Sequence, residues 1–475
     1  MATQQKGLAL LQAKKLYVVA KMHITSSSNG LGKSCHQICW GKFAASFTSP
    51  LCRALRIQLS GLMGRVGRKK RMKAFRKSLG IGLNIPAPKV FDSVKRTDSS
   101  PKRNTESDFI FYNRSPRTEI DRIRNFIEAC VKNYPHTEQQ EIVSRLRSGD
   151  DVHFRSACFE LFLYEALRRQ GFTLTPHPEL PNGSPYRPDF LVSDAEGRCF
   201  YLEAVLATEN NELDRGGEAR KGAVLDTLAK FPHDNFMIAL DDEGSPKSPP
   251  SGKKLKNKIH AWLDSLDPDE VHQKIDSAGF DSIEPLVWTH DDWHLQIRPI
   301  PLKPERRGQS STLIGIGGAG GGWIDAWSPI RDAIKFKGGK YGDLEIPLVV
   351  AVNLDSFHLD RIDEMQALFG QEQFVFKPGS DAAPEMRRAP NGAWYGKRGP
   401  QYTRVSAAWI FNDLHASSLA VRNSTIYFNP WAALPAPESL KSFPFAEPQN
   451  DKMHWNEGLS FREVFELHEG WPENA

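Results

Sequence analysis

The chain has 475 residues, of which 40% are hydrophobic and 25% are charged, a balance typical of globular proteins. No stretch approaches the ~20 consecutive apolar residues that a membrane-spanning helix needs, so the sequence predicts no membrane segment. The length suits two or three domains, or one large and elaborated domain.

The net charge of +5 conceals two parts of opposite sign. Residues 1–104 contain 21 Lys and Arg residues and two acidic ones, whereas residues 105–475 contain 41 basic and 55 acidic residues. We weigh three interpretations of the basic segment: a disordered arm that contacts phosphate backbones, an organelle-targeting segment, or a misassigned start with the true one at Met63 or Met72. In each case the globular part is expected from about residue 105.

The six cysteines show no spacing of a disulfide framework. Cys158 and Cys199 fall within apolar patterns and are predicted to be buried thiols. This usage predicts a reducing compartment, and we expect a cytoplasmic protein.

Apolar residues at helical spacing predict two helices over 118–134 and 137–147, so residues 105–150 are expected to form a helical lead-in. A third helix is predicted over 152–170. Further apolar runs predict three strands, a helix and a strand over 172–178, 187–193, 198–206, 220–231 and 236–240. Residues 151–245 therefore predict one core in the order αβββαβ.

The rest of the chain is expected to extend this core. Residues 246–280 predict a loop and helices, and residues 281–475 a C-terminal extension or second lobe. The strongest buried strand is predicted over 346–354, and Ser310–Gly322 has the composition of a glycine-rich loop. The mixture of helices and strands predicts the α/β class, with a mixed sheet flanked by helices.

Three acidic residues fall on these elements in an order that suggests metal chemistry. Glu160 lies on the third helix, Asp189 at the start of the second strand and Glu203 within the third strand. Mg²⁺ is commonly held by one or two carboxylates together with water and substrate phosphate. Such a cation lowers the pKa of water and stabilises developing negative charge in phosphodiester hydrolysis.

A simpler role is also open to each acidic residue. Asp189 could be a turn residue, and Glu160 could be a solvated helix position. Glu203 could pair with Arg187 or Arg220.

The order of these elements resembles the PD-(D/E)xK nuclease superfamily, which has the restriction-endonuclease-like fold. The resemblance covers about residues 150–240 and is carried by FELFLY at 159–164, RPDFLV at 187–192 and FYLEAV at 200–205. It implies that two carboxylates bind Mg²⁺ or Mn²⁺, those of Asp189 and Glu203, with Glu160 assisting.

The sequence departs from the family pattern at one position. The family has a lysine two residues after the Glu, and Val205 stands there. That lysine orients or activates the attacking water and offsets charge, and in some members it lies on another element. Lys221 is the first candidate for this role, followed by Lys230.

The resemblance implies a metal-dependent nuclease whose substrate is a nucleic acid, with DNA favoured over RNA. Its expected catalytic residues are Glu160, Asp189, Glu203 and Lys221. The candidates for contacting nucleic acid are Arg187, Lys335 and Lys340.

Two alternatives stay open. Val205 at the lysine position is compatible with a nuclease-fold module that binds nucleic acid without cleaving it. The run Gly315–Gly320 matches GxGxxG, a pattern that in dinucleotide-binding enzymes cradles a pyrophosphate between a strand and a helix.

Overall fold

The computed structural model describes residues 87–208, 215–310, 312–319, 325–355, 359–376, 385–449 and 452–473. This part of the chain contains ten α-helices and a large sheet of parallel and antiparallel strands, which confirms the expected α/β class. No helix in the described ranges is both long and apolar enough to cross a membrane.

The helices of the described residues are numbered in chain order. They are α1 (Asp108–Arg114), α2 (Thr118–Asn133), α3 (Gln139–Leu146), α4 (Asp151–Arg169), α5 (Arg215–Ala229), α6 (Gly252–Leu263), α7 (Pro268–Ala278), α8 (Trp327–Lys340), α9 (Arg361–Phe369) and α10 (Phe461–Val464).

The strands are numbered in the same way. They are β1 (Thr173–Pro176), β2 (Phe190–Ser193), β3 (Cys199–Thr208), β4 (Phe236–Glu243), β5 (Leu286–His290), β6 (Trp293–Pro301), β7 (Ile314–Ala319), β8 (Leu348–Asp355), β9 (Glu372–Val375), β10 (Glu385–Arg388), β11 (Tyr395–Gly396), β12 (Gly399–Pro400), β13 (Val405–Asn412), β14 (Ser424–Phe428), β15 (Phe445–Gln449) and β16 (Lys452–Asn456).

The main sheet has eight strands in the order β1-β2-β3-β8-β13-β14-β15-β16. Strands β1, β2 and β3 form an antiparallel meander, and β8 pairs in parallel with both β3 and β13. Seven of the eight residues of β8, and likewise of β13, are buried. Nearly continuous apolar sequence is what a parallel strand covered on both faces requires, which explains why residues 346–354 stand out in the sequence.

Helices cover both faces of the main sheet. One apolar cluster joins α2, α3 and α4 to one face through side chains such as Phe159, Phe162 and Trp409. A second cluster joins α8 and α9 to the opposite face through side chains such as Ile334 and Tyr341. The longest of these helices, α4, begins with an Asp150 side chain that accepts hydrogen bonds from two backbone amides of its first turn.

A separate unit is inserted between β3 and α8. Its four-stranded sheet has the order β5-β6-β4-β7, and its own apolar core includes Trp293 of β6 and residues of α5 and α6. The expectation that the helix at 220–231 and the strand at 236–240 complete the core is therefore wrong, because β4 pairs with β6 and β7. In the main sheet, α8 and β8 take the place of the last helix and last strand of the predicted αβββαβ order.

The packed part of the chain begins before residue 105. Val90 and Phe91 are buried in the apolar cluster beneath α4, and their backbone N–H groups donate to Glu128 Oε1 at 3.0 and 2.9 Å. Close contacts group Ile85–Ala475, including the inserted unit, into one compact body. The expected boundary at residue 104 is therefore placed too late, and residues 1–86 of the basic segment lie outside the described residues.

The glycine run is not the loop that the sequence predicts. Ile314–Ala319 is strand β7, which pairs in parallel with β4. A Cβ at Gly315 would come within 3.1 Å of the Met237 side chain, so close packing favours glycine there. A pyrophosphate cradle needs these glycines in a turn before a helix, whereas Gly315, Gly317 and Gly318 lie within a strand. Gly320 lies outside the described residues.

Candidate active site

The β2–β3 hairpin brings Asp189 opposite Glu203. Phe190 pairs with Leu202, so one further step of the antiparallel register places these two acidic residues across from each other. The backbone N–H of Ala204 donates to Asp189 Oδ2 at 2.7 Å, which holds the aspartate in place immediately before β2. Directly opposite residues on antiparallel strands have Cβ atoms ~5 Å apart.

Glu203 is 1% exposed and receives its hydrogen bonds from α8 and the residue after it. Lys337 Nζ donates to Glu203 Oε1 at 2.5 Å, and Lys340 Nζ lies 3.5 Å from the same oxygen. The Tyr341 hydroxyl donates to Glu203 Oε2. These donors are spaced three and four residues apart, so they share one face of the helix.

Close helix packing sets the position of these donors. Gly338 is buried, and a Cβ there would lie 2.7 Å from a methyl group of Val405 on β13. Glycine therefore lets α8 approach the main sheet. Beyond the helix, the Asn182 side chain donates to the backbone oxygens of Tyr341 and Asp343 at 2.9 and 2.7 Å, which ties the loop before Asp189 to the end of α8.

Glu160 lies on the opposite side of the sheet, on α4, and is 3% exposed. The Tyr134 hydroxyl donates to Glu160 Oε1 at 2.6 Å, and the Arg145 guanidinium donates to Oε2. Burial and the Glu160 carboxylate raise the pKa of Tyr134, so its hydroxyl stays protonated as a donor. These bonds satisfy a charge that would be costly to bury alone.

The charges of Glu203 and Glu160 act on Asp189, and these three residues together with Lys337, Lys340 and Tyr341 form the carboxylate cluster. Burial, followed by the charges of Glu203 and then Glu160, raises the pKa of Asp189 to about 8. The Ala204 N–H and the Lys337 charge oppose this rise without cancelling it. The protonated form of Asp189 is therefore favoured at neutral pH, mainly because the side chain is largely removed from solvent beside two other carboxylates.

The pair Asp189 and Glu203 offers a cation one carboxylate oxygen that has no hydrogen-bond donor in the described part of the chain. The second carboxylate oxygen of Asp189 has no hydrogen-bond partner among the described residues, whereas both oxygens of Glu203 have donors. The described ranges contain no group of three or more His, Cys, Asp and Glu side chains arranged to hold a metal ion. A cation would therefore take Asp189 and Glu203 as its protein ligands and complete its shell with water and substrate oxygens, as Mg²⁺ commonly does.

Lys221 does not contribute to this cluster, which corrects the expectation for the missing lysine. Its Nζ pairs with Asp242 at 2.8 Å and with Glu218 at 3.2 Å, both in the inserted unit. The reason is topological, because α5 belongs to that unit and not to the main sheet. Val205, at the expected lysine position, packs instead in the apolar cluster beneath α8.

The three candidates for nucleic-acid contact have different positions. Lys340 lies beside Glu203 and is 5.7 Å from the ring of the exposed Tyr186. Arg187 is exposed two residues before Asp189, where it pairs with Glu179. Lys335 is half-buried, with its pKa lowered by burial and then by Arg331, and makes no contact with Glu203.

The sequence did not lead us to place Lys337 or Tyr341 beside the carboxylates, although Lys337 is one of the basic residues that could line a phosphate path. Their signal is the spacing of Lys337, Lys340 and Tyr341 at the C-terminal end of the helix that precedes the apolar strand β8. That signal gains meaning only when β8 is known to pair with β3, because this pairing brings the helix over Glu203.

No protein-family model, curated protein or solved structure matches the chain.

Proposed function

We propose that the protein is a metal-dependent nuclease of the PD-(D/E)xK type in which α8 supplies the lysine. The observation that carries this proposal is the 2.5 Å contact between Lys337 Nζ and Glu203 Oε1, beside an Asp189 held opposite Glu203. The contact provides a cation next to the paired carboxylates, as the lysine at the position of Val205 would have done.

The arrangement of strands supports the same proposal. Helix α4, the meander β1–β3, helix α8 and the parallel strand β8 follow one another in the order αβββαβ expected from the resemblance. The inserted unit interrupts this order without entering the main sheet.

Each residue has a distinct role in the proposed reaction. A Mg²⁺ or Mn²⁺ ion, when bound, supplies Lewis acidity and lowers the pKa of a water molecule. Asp189 and Glu203 would hold this ion, and Asp189 must lose its proton to do so. Lys337 would orient the attacking water and offset charge, while Glu160, held by Tyr134 and Arg145, adds negative charge that favours the cation.

We expect a nucleic acid as substrate, with DNA favoured over RNA, and a reducing cytoplasmic setting. The cysteines support the setting, because Cys130 and Cys158 are buried free thiols whose pKa values are raised by burial. Lys340 and Tyr186 at the edge of the cluster would contact the phosphate backbone and a base.

A second candidate function has a specific observation in its favour. Both oxygens of Glu203 already accept hydrogen bonds from Lys337 and Tyr341, so the glutamate is satisfied without a metal. This arrangement suits a nuclease-fold module that binds nucleic acid but does not cleave it.

A pair of lysine substitutions tests the proposal. The full-length protein is incubated with labelled single-stranded DNA, double-stranded DNA and RNA, in Mg²⁺, Mn²⁺ or EDTA. We expect cleavage only with a divalent ion, and a loss of about 10²-fold in rate for Lys337→Met, as when one positioned catalytic group is removed. Lys221→Met is the matched control and should keep the wild-type rate, because Lys221 pairs within the inserted unit.

The outcomes separate the two candidate functions. Equal rates for the two variants would contradict the role of Lys337. Salt-dependent binding without cleavage by the wild-type protein in either metal would contradict the nuclease and favour the binding module.

A further inference from the structure

A groove of about 700 Å³ lies towards the other end of the main sheet from the carboxylate cluster. None of the cluster residues line it. Its walls come from α9, β10, β11, the turn after β14, and β15 with β16, and its polar and aromatic lining consists of Phe369, Arg387, Arg388, Tyr395, Trp431 and Lys452. Its volume is within the range of sites for small ligands.

The charged lining of the groove has a single sign. Among the described residues, the charged side chains that line it are those of Arg387, Arg388 and Lys452, and all three are basic. Arg387 has a 58% exposed side chain and pairs with Glu385 at 2.6 Å. Arg388 pairs with Glu372 at 2.9 Å, and Lys452 has no ion pair among the described residues. Glutamates thus offset two of the three cations, and Lys452, which has no acidic partner among the described residues, leaves the lining with a net positive charge that favours an anionic ligand.

The aromatic lining is held in place from the core. The rings of Tyr395 and Trp431 lie 5.7 Å apart with an interplanar angle of 33°, and Tyr395 is 36% exposed. Trp431 contacts Phe369 at 6.0 Å, and Phe369 in turn contacts the fully buried Trp394 at 5.4 Å. A braced aromatic surface beside cations is the arrangement on which bases of single strands stack.

We propose that this groove binds a short segment of single-stranded nucleic acid. Bases would stack on Tyr395 and Trp431, and phosphates would contact Arg387, Arg388 and Lys452. A folded duplex does not present its base faces, so the aromatic lining favours a single strand. This binding needs no metal and no cleavage, so it goes beyond the proposed nuclease activity.

The groove and the carboxylate cluster share one face of the main sheet. Helix α8 carries Lys337 and helix α9 lines the groove, and both pack in the same apolar cluster. Four strand spacings separate β3 from β15, which is ~19 Å across the sheet. A strand held in the groove could therefore extend towards the cluster, and this link alone rests on the proposed nuclease function.

A charge reversal tests the phosphate contacts. Binding of a fluorescent oligothymidine to the full-length protein is measured in EDTA over a range of salt concentrations. We expect the double variant Arg387→Glu and Lys452→Glu to bind at least about tenfold more weakly, with a salt slope reduced by ~1.4 for two lost phosphate contacts. Lys274→Glu, on an exposed face of α7, is the control and should bind as the wild type does.

A second pair of variants tests stacking. Tyr395→Ala should weaken binding by about fivefold or more, whereas Tyr395→Phe keeps the ring and should bind as the wild type does. Photo-cross-linking of an iodouracil oligonucleotide to the wild-type protein should give adducts at Tyr395 or Trp431, and this result does not depend on any variant folding.

Each negative result overturns the proposal in a defined way. Three results would contradict binding in the groove. They are unchanged binding by the double variant, an equal loss of binding with Lys274→Glu, and cross-links confined to other parts of the chain. Because binding is measured in EDTA, failure of the nuclease proposal leaves this test unaffected.

Discussion

Asp189→Asn is expected to reduce metal-dependent cleavage by about 10³-fold or more, which corresponds to roughly 4 kcal/mol in the activation barrier. Asparagine has nearly the same shape and can still accept the hydrogen bond from the Ala204 N–H, so the start of β2 should be preserved. The substitution removes a negatively charged ligand. Glu203 alone should bind a cation poorly, because its carboxylate already pairs with Lys337.

Cleavage of a labelled oligonucleotide at saturating Mg²⁺ measures this effect. Asp242→Asn is the matched control, because Asp242 pairs with Lys221 in the inserted unit and should leave the rate unchanged. A variant at Asp189 that cleaves at the wild-type rate would remove this residue from the proposed metal site.

The same substitution is expected to stabilise the metal-free protein at alkaline pH. The pKa of Asp189 is about 8 in the folded protein, against an ordinary value of 3.8. Between these values the folded protein binds a proton that the unfolded chain has released, so its free energy of unfolding falls as the pH rises, by up to about 1.4 kcal/mol per pH unit. This contribution is complete below pH 4 and is lost once the pH exceeds about 8.

Asparagine cannot ionise, so Asp189→Asn should remove this decline. Because part of Asp189 is exposed to solvent, we expect a gain of about 2–4 kcal/mol at pH 8 rather than the full value, and little difference at pH 4. Urea denaturation in EDTA at a series of pH values measures it.

A neighbouring aspartate provides the opposite control. Asp194 accepts hydrogen bonds from Ser439 and Arg198, which hold its pKa below the ordinary value despite the cost of burial. Asp194→Asn should therefore destabilise the protein at pH 8.

Added Mg²⁺ should stabilise the wild type more than Asp189→Asn, since only the wild type offers both ligands. If the free energy of unfolding of Asp189→Asn declined with pH as steeply as that of the wild type, deprotonation of Asp189 would not be the cause of the decline.

The acidic hairpin could be predicted from the sequence because its signals are local. The apolar runs over 187–193 and 198–206 predict two consecutive strands, and the pairing of these strands as a hairpin places Asp189 across from Glu203. Glu160 likewise follows from the position of α4. These relations involve residues close in sequence, or on elements whose apolar faces must meet.

The lysine could not be predicted in the same way. Lys337 lies 134 residues after Glu203, beyond a unit with its own sheet and core. The pattern of β4 indicates a strand, but a short apolar strand carries no information on which sheet it joins. Lys221 is nearer in sequence and on the expected kind of element, and only the pairing of β4 with β6 shows that it belongs elsewhere.

Because Glu203 is buried, folding of the β2–β3 hairpin and docking of helix α8 depend on each other. The hairpin that carries this glutamate is synthesised long before α8, and until α8 is present a nearly fully buried carboxylate would have no cation beside it. Burial of Glu203 within the main sheet is unfavourable before α8 is in place, because an unpaired buried charge costs several kcal/mol. The main sheet should therefore form late and as one cooperative step, in which the arrival of Lys337 and Tyr341 both completes the fold and assembles the site.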